Sequence, residues 1–409
     1  MVPNGWVEKS LKDICNKTIS YGIVQTGDNI ENGVPCVRVV DLSKNTLNPI
    51  EMIKTSDEIH QSYKKTILCE GELMMALRGE IGLVKKVTPE LIGANITRGL
   101  ARLSPIKSVD SDYLLWTLRS NKIKNELARK SGGSALQEIA LGSLRKVVLP
   151  IPPLPEQRKI AQILSTWDKA IAATEKLIET SKQQKKALMQ QLLTGKKRLV
   201  NPETGKVFEG EWKEVRLSEI AKVSIGLVTT MTKHYVESGV ALIRNSDIKQ
   251  NEIRKEKMIY LSESFASESE HRKLKINDVV TVHTGEVGVS AVIGADMAGS
   301  LGFATLNSRP DPNKVLPTYL SWYFNSDRFI NWCVSVSTGD GRQNLNLKDF
   351  AKAIVLLPEL AEQQKIATVL TAADKEIKVL EAKLAHFEQE KKALMQQLLT
   401  GKRRVKNDD

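Results

Sequence analysis

The chain has 409 residues, 41% of them hydrophobic and 26% charged, with a formal net charge of +12. That length supports two substantial cores, and the composition is that of a folded chain rather than a disordered one. No window approaches the roughly eighteen uninterrupted apolar residues of a membrane span, and residues 1–6 lack the features of a secretory signal, so a cytoplasmic protein without membrane contact is expected.

The charge is unevenly spread. Residues 1–153 carry 21 basic and 16 acidic side chains, 154–199 carry 10 and 4, 200–359 carry 19 and 20, and 360–405 carry 9 and 6. A sequence pI near 9.3 suggests an anionic partner, but residues 200–359 would need a local basic patch to meet one. Cys15, Cys36, Cys69 and Cys333 are few and widely spaced, and are expected as small core residues rather than disulfides or zinc ligands.

In residues 1–153, β-prone runs bounded by Gly, Pro or Asp predict strands at 34–42, 67–77 and 81–87. Gly79-Glu80-Ile81-Gly82 is read as a tight turn. Residues 113–127 are predicted helical with their aromatic side chains in the core, followed by the glycine-rich loop Ser131-Gly132-Gly133-Ser134 leading to Gln137.

A long helix follows within 154–199. Ile160, Leu164, Trp167, Ile171, Thr174, Ile178, Ser181, Lys185, Leu188 and Leu192 advance by alternating steps of four and three, which draws one seam along one face. Pro155 and Glu156 suit its first turn and Gly195 its end. From 156 to 194 the rod would extend roughly 58 Å, and it needs a partner.

Residues 200–359 repeat the globular pattern, with strands at 240–248, 279–282 and 287–293, a turn at 285–288, a helical stretch at 319–332 and a loop from Ser337 to Gln343. Residues 360–409 repeat the helix, with its seam at Ile366, Leu370, Ala373, Ile377, Leu380, Leu384, Phe387, Lys391, Leu394 and Leu398 and its end at Gly401. The two helices are expected to pair antiparallel; the alternative is that each packs on its own globular part. Lys185 and Lys391 break the seam and are expected to carry their ammonium groups out to water.

The two halves are one unit written twice at an offset of 206. Residues 185–196 recur identically at 391–402, and the offset also matches Glu156-Gln157 with Glu362-Gln363, Trp6 with Trp212, and Arg38 and Asp41 with Arg244 and Asp247. Tyr113 and Trp116 pair with Tyr319 and Trp322 in the same way, and Gln137 with Gln343. The helical segments match closely and the globular segments only at scattered framework positions, so each copy is a variable globular part followed by a near-constant helix.

No catalytic constellation emerges. There is no His-Glu-x-x-His and no phosphate loop, and His60, His234, His271, His283 and His386 show no ligand spacing. A DNA reader needs Lys, Arg and hydroxyl groups for phosphates and a few Arg, Lys, Asn, Gln or His side chains for base edges. Candidates in the first copy are Lys44, Arg78, Arg98, Ser134 and Gln137; in the second they are Arg244, Lys249, Lys257, His283, Arg342 and Gln343.

Three marks together carry a resemblance. They are Pro-Pro-Leu-Pro-Glu-Gln-Arg-Lys-Ile at 152–160, echoed at 360–366, the Leu-Met-Gln-Gln-Leu-Leu-Thr-Gly-Lys ends at 188–196 and 394–402, and Gly-Glu-Trp-Lys-Glu-Val-Arg-Leu at 210–217. Over nearly its whole length the chain resembles the specificity subunit of type I restriction-modification systems. The resemblance implies an α+β fold in which two strand-rich target recognition domains, 1–153 and 200–359, are joined by long conserved helices, 154–199 and 360–409, forming an antiparallel coiled coil. It implies a non-catalytic subunit in which each domain reads half of a split, asymmetric DNA site, and the coiled coil sets the gap. Two modification subunits would supply S-adenosylmethionine and methylate adenine, and two restriction subunits would use ATP and Mg. No cofactor or metal is expected in this chain. The alternatives are a coiled-coil adaptor that binds proteins rather than DNA, and an enzyme with a dispersed site.

Overall fold

The computed structural model describes residues 2–132, 137–339 and 341–405, and the chain divides into two compact units, Met1–Glu175 with Ala382–Asp409 and Lys176–Glu381. The long helices are Leu154–Leu192 and Leu360–Leu398, 39 residues each, and each contributes a part to either unit. Among the described residues, no helix is long and apolar enough to cross a membrane.

Within each unit the helical parts pair antiparallel. In the first, Ile160, Ala161 and Leu164 share a core with Leu398 and Leu399, and further along Trp167 stands edge-on to Phe387 with ring centroids 5.5 Å apart. In the second, Met189, Leu192 and Leu193 share a core with Ile366, Ala367 and Leu370, and Lys182 pairs with Glu381 at 2.6 Å. Rising numbers on one helix meet falling numbers on the other in both units. The helices also pack on the globular parts, since Ile160 and Leu164 join the core that contains Tyr113, Trp116 and Leu149. Along the seam Ile160, Leu164, Ile178, Leu192, Ile366, Leu370, Ile377 and Leu398 are buried, whereas Trp167, Ile171, Leu188, Leu380, Leu384, Phe387 and Leu394 are half-buried.

Lys185 and Lys391 depart from expectation. Their side chains are only 14% and 17% exposed, because each ammonium finds a carboxylate and an aromatic face. Lys185 Nζ donates to Asp374 at 2.6 Å and lies 5.5 Å from the Trp322 ring centroid. Lys391 pairs with Asp168 and lies 4.6 Å from the ring centroid of Trp116. Such a site replaces lost hydration with a charge-assisted hydrogen bond and a cation–π contact.

In the first unit the fully buried strand Leu73–Ala76 lies between Val84–Lys86 and Leu100–Leu103, antiparallel to both. A second sheet sets Val34–Val37 between Ile53–Thr55, antiparallel, and Asn95–Ile96, parallel. The second unit enlarges this plan. Its sheets run in the orders Ala221–Ile225, Thr305–Pro310, Val279–Val282, Ser290–Val292 and Tyr235–Val236, Ile259–Leu261, Val240–Arg244, Leu301–Phe303. The parallel pairing of Cys36 with Asn95 recurs as Leu242 with Leu301, at the offset of 206.

Two predicted elements break early. The strand expected over 34–42 stops at Val37, and Val39–Leu42 is a helical turn, because Asp41 accepts both the backbone N–H of Arg38 at 3.0 Å and its Nε at 2.9 Å. Arg244 and Asp247 end Val240–Arg244 in the same manner. The helix expected over 113–127 splits at Ser120 into Ser111–Arg119 and Asn121–Lys130, and Ser326 divides its counterpart. Each serine hydroxyl accepts the N–H three residues on, at 3.4 and 3.3 Å, and so starts a new helix. The cysteines also depart in part: Cys36 and Cys333 are buried and Cys15 half-buried, but Cys69 is exposed, 3.3 Å from Lys17 Nζ.

A repeated clasp fastens each globular part to a helix start. Buried Glu156 accepts from Trp6 Nε1 at 3.0 Å and from Arg404 Nε and Nη2 at 2.6 and 2.8 Å. Buried Glu362 accepts from Trp212 Nε1 at 3.1 Å and from Arg198 Nε and Nη2 at 2.6 and 2.7 Å. The adjacent Gln157 accepts from Asp110 N and donates to the carbonyls of Ser108 and Pro152, and Gln363 repeats this with Leu316, Lys314 and Pro358. Each buried polar group is thereby satisfied, the condition for placing it there.

Candidate nucleic-acid interface

Both globular parts hold a loop-bearing surface on the same backbone frame. The chain turns through Gly79 and Gly82 at φ +68° and +83°, and in the second copy through Gly285 and Gly288 at +99° and +91°. This left-handed backbone strains any residue with a Cβ, which accounts for the recurring glycines. The glycine-rich loop is tied to that turn. Gly132 and Glu138 exchange backbone hydrogen bonds of 3.1 Å, Ile139 N donates to Leu77 O at 2.9 Å, and Arg78 bridges to Glu138. In the second copy Thr338 and Asn344 exchange bonds of 3.1 and 2.9 Å, Leu345 N donates to His283 O at 3.0 Å, and Thr284 bridges to Asn344.

The sequence candidates fall into different roles on this frame. Ser134 lies outside the described residues, and Gln137 is exposed at the loop's return. Arg342 is exposed, while Gln343 is half-buried: its carbonyl accepts Gly285 N at 3.0 Å, and its Oε1 is buried without a partner among the described residues. Arg244 is spent internally, with Nε and Nη2 on Asp247 at 2.9 and 2.8 Å and Nη2 also on the carbonyl of exposed Lys257 at 2.8 Å. Arg38 is locked the same way on Asp41, and in both pairs the carboxylate raises the guanidinium pKa above its ordinary value. These two arginines stay charged and hold the loop.

Lys44 pairs with Glu51 at 2.9 Å and Lys249 with Glu286 at 3.1 Å. Exposed pairs of this kind are screened by solvent and contribute little, so either lysine exchanges readily onto an anion. His283 is half-buried with Nδ1 2.8 Å from Thr284 Oγ1, and burial lowers its pKa, so the imidazole is neutral at neutral pH. Its backbone N–H is held by Asn245 Oδ1 at 2.9 Å.

Arg78 and Arg98 are brought together. Neither side chain has a partner among the described residues, and both line one cavity of about 530 Å³ together with Ile23, Val24, Val39 and Val40. Close approach is built in at Gly99, where a Cβ would sit 3.0 Å from Arg78 Nε and 2.7 Å from Val39 Cγ2. The second copy has Thr284, Ala304 and Thr305 at the positions of Arg78, Arg98 and Gly99, so the matching place there carries two hydroxyls and a methyl group instead of two guanidiniums. Sequence reasoning missed Thr284, Asn245 and Asn344 here, and Arg198, Arg404, Asp168 and Asp374 at the helices. The last four are two more pairs at the offset of 206, the signal that would have found them.

Comparison with known proteins fits this duplicated plan. The family model described as the type I restriction modification DNA specificity domain matches residues 3–183 and again 209–389. The chain is similar to the type I restriction enzyme MjaVIII specificity subunit of Methanocaldococcus jannaschii, 26% identical over 311 residues covering 74% of this chain and 72% of that one. It is also 26% identical over 424 residues to the putative MjaX specificity subunit of the same organism, covering 99% and 95%. In fold it is similar to the crystal structure of a type I restriction-modification S subunit from M. genitalium, at a TM-score of 0.58 and 13% identity over 98% of both chains.

Proposed function

The chain belongs to the type I restriction modification DNA specificity family, and from that premise we propose that it selects the DNA site for a type I complex by reading a split, asymmetric sequence, one half with residues 1–153 and the other with residues 200–359. It does so as a cytoplasmic, non-catalytic subunit. Two modification subunits carry S-adenosylmethionine and methylate adenine, and two restriction subunits use ATP and Mg to translocate and cleave. The observation that carries this reading is the contrast within each copy: the framework contacts of Trp6, Tyr113, Trp116, Glu156 and Gln157 recur at the offset of 206 with the same partner groups, while the side chains at the loop-bearing surface change. A shared backbone with divergent surface chemistry is what two readers of different half-sites require.

Because residues 200–359 have no net positive charge, sequence-specific binding is expected to be weak for the chain alone and salt-sensitive in the assembled complex. The test is to exchange residues 1–153 for the corresponding domain of a relative and map methylated adenines genome-wide. One half-site changes and the other stays. A change in both, or in neither, rejects the division of labour, and the absence of any sequence preference in the assembled complex favours a protein-binding adaptor.

A further inference from the structure

The cavity bearing Arg78 and Arg98 has a composition that says which bases it meets. Its two guanidiniums have no carboxylate to satisfy them, and beside them Val24 is 47% and Val40 60% exposed. A phosphate has no use for such valines; a wall of donors would serve it better. A base pair edge in the major groove uses both kinds of group, because guanine offers O6 and N7 to a bidentate arginine and thymine offers a methyl group to apolar carbon. Arg38 does not compete, being closed on Asp41. Gly99 lets Arg78 lie low over the backbone, and the second copy loses the arginine and the glycine together, having Thr284 and Thr305.

We infer that Arg78 and Arg98 are specificity-determining residues that read guanine in the first half-site, with Val24 and Val40 contacting the methyl group of a neighbouring thymine. The inference rests on the reading of the chain as a DNA specificity subunit. It distinguishes the two domains: the second, with threonine and alanine at the matching positions, reads its half-site without this arginine pair.

The test uses the full chain assembled with its modification subunits and duplexes selected from a random pool. In the half-site that follows residues 1–153 on domain exchange, 7-deazaguanine removes N7 and uracil removes the thymine methyl. Each substitution is expected to weaken binding, and Arg98→Ala or Arg78→Ala is expected to lower discrimination for guanine by roughly tenfold to a hundredfold. The base analogues leave the protein untouched, so a folding defect in a variant does not blur the result. If that half-site lacks guanine, or the arginine variants weaken all sequences alike and lower the salt dependence, the arginines hold phosphates and the inference is overturned. If the pool yields no preferred sequence at all, it is the function proposed above that fails.

Discussion

Residues 1–153 and 200–359 are held by the same framework contacts, within each globular part and to its helix, yet present different groups at their loops. Tyr113 and Tyr319 donate to the carbonyls of Pro150 and Leu356 at 2.7 and 2.6 Å, and Trp116 and Trp322 donate to Ser165 and Thr371, both at 3.0 Å. At the surface Arg78 corresponds to Thr284 and Arg98 to Ala304, and beside them the buried Leu77 is replaced by the half-buried His283. The difference shows where sequence is free to change. A buried polar group constrains every partner that satisfies it, whereas an exposed side chain on a fixed backbone constrains none.

The largest effect should come from the clasp. Glu156→Ala leaves Arg404 without its carboxylate, and Glu362→Ala does the same to Arg198. Breaking a fully buried ion pair costs about 3–5 kcal/mol. Here the carboxylates are buried but the Arg404 and Arg198 side chains are 43% and 21% exposed, so solvent screens part of that cost, while the stranded indole N–H of Trp6 or Trp212 adds to it. Urea unfolding followed by tryptophan fluorescence should show losses of similar size for the two variants, since each carboxylate accepts from the same three donors. A much smaller loss for Glu156→Ala would break the equivalence and would mean that Arg404, the more exposed of the two arginines, holds less firmly than Arg198.

Next comes the tyrosine pair. Tyr113→Phe and Tyr319→Phe each strand a buried carbonyl, at a cost of about 1–3 kcal/mol. Equal midpoint shifts in the same unfolding measurement would sharpen the claim that the frame is duplicated in energy as well as in geometry. A neutral result in one copy would show that water or a neighbouring donor takes over there.

Much of this frame is visible in the sequence. The four-three spacing from Ile160 onward is dictated by helical geometry, so it reports the helix and its seam directly. The recurrence of Glu156-Gln157 and Trp6 marks residues tied to one another without saying how. The ties themselves are long-range: Arg404 and Asn4 meet across the whole chain, with Arg404 Nη1 donating to the Asn4 carbonyl at 2.8 Å, and no local pattern announces such a contact. Local competition was equally hidden. A β-prone run gives no warning that Arg38 closes on Asp41 and ends the strand, and an apolar stripe does not show that Ser120 starts a second helix within it. The candidate surface was legible as positions rather than roles, since Arg38, Arg78 and Arg98 look alike until one is found locked and two are found free.

The smallest effect expected belongs to the second domain alone. His283 has its pKa lowered by burial, so the folded state favours the neutral ring, while the unfolded chain takes up a proton near the ordinary pKa of about 6.5. Where the unfolded state binds the extra proton, stability falls as pH falls. The contribution of His283 is therefore complete above that pH and declines below it. Urea midpoints of the second unit measured from pH 7.5 to 5.5 should fall slightly more in the native chain than in His283→Leu, which takes the residue found at the same place in the first copy, Leu77. Because the ring is only half-buried and its Nδ1 meets Thr284, the slope should be shallow. An unchanged slope in the variant would mean that the imidazole is as well solvated as in the unfolded chain, and that the second surface differs from the first in shape and donors but not in its response to protons.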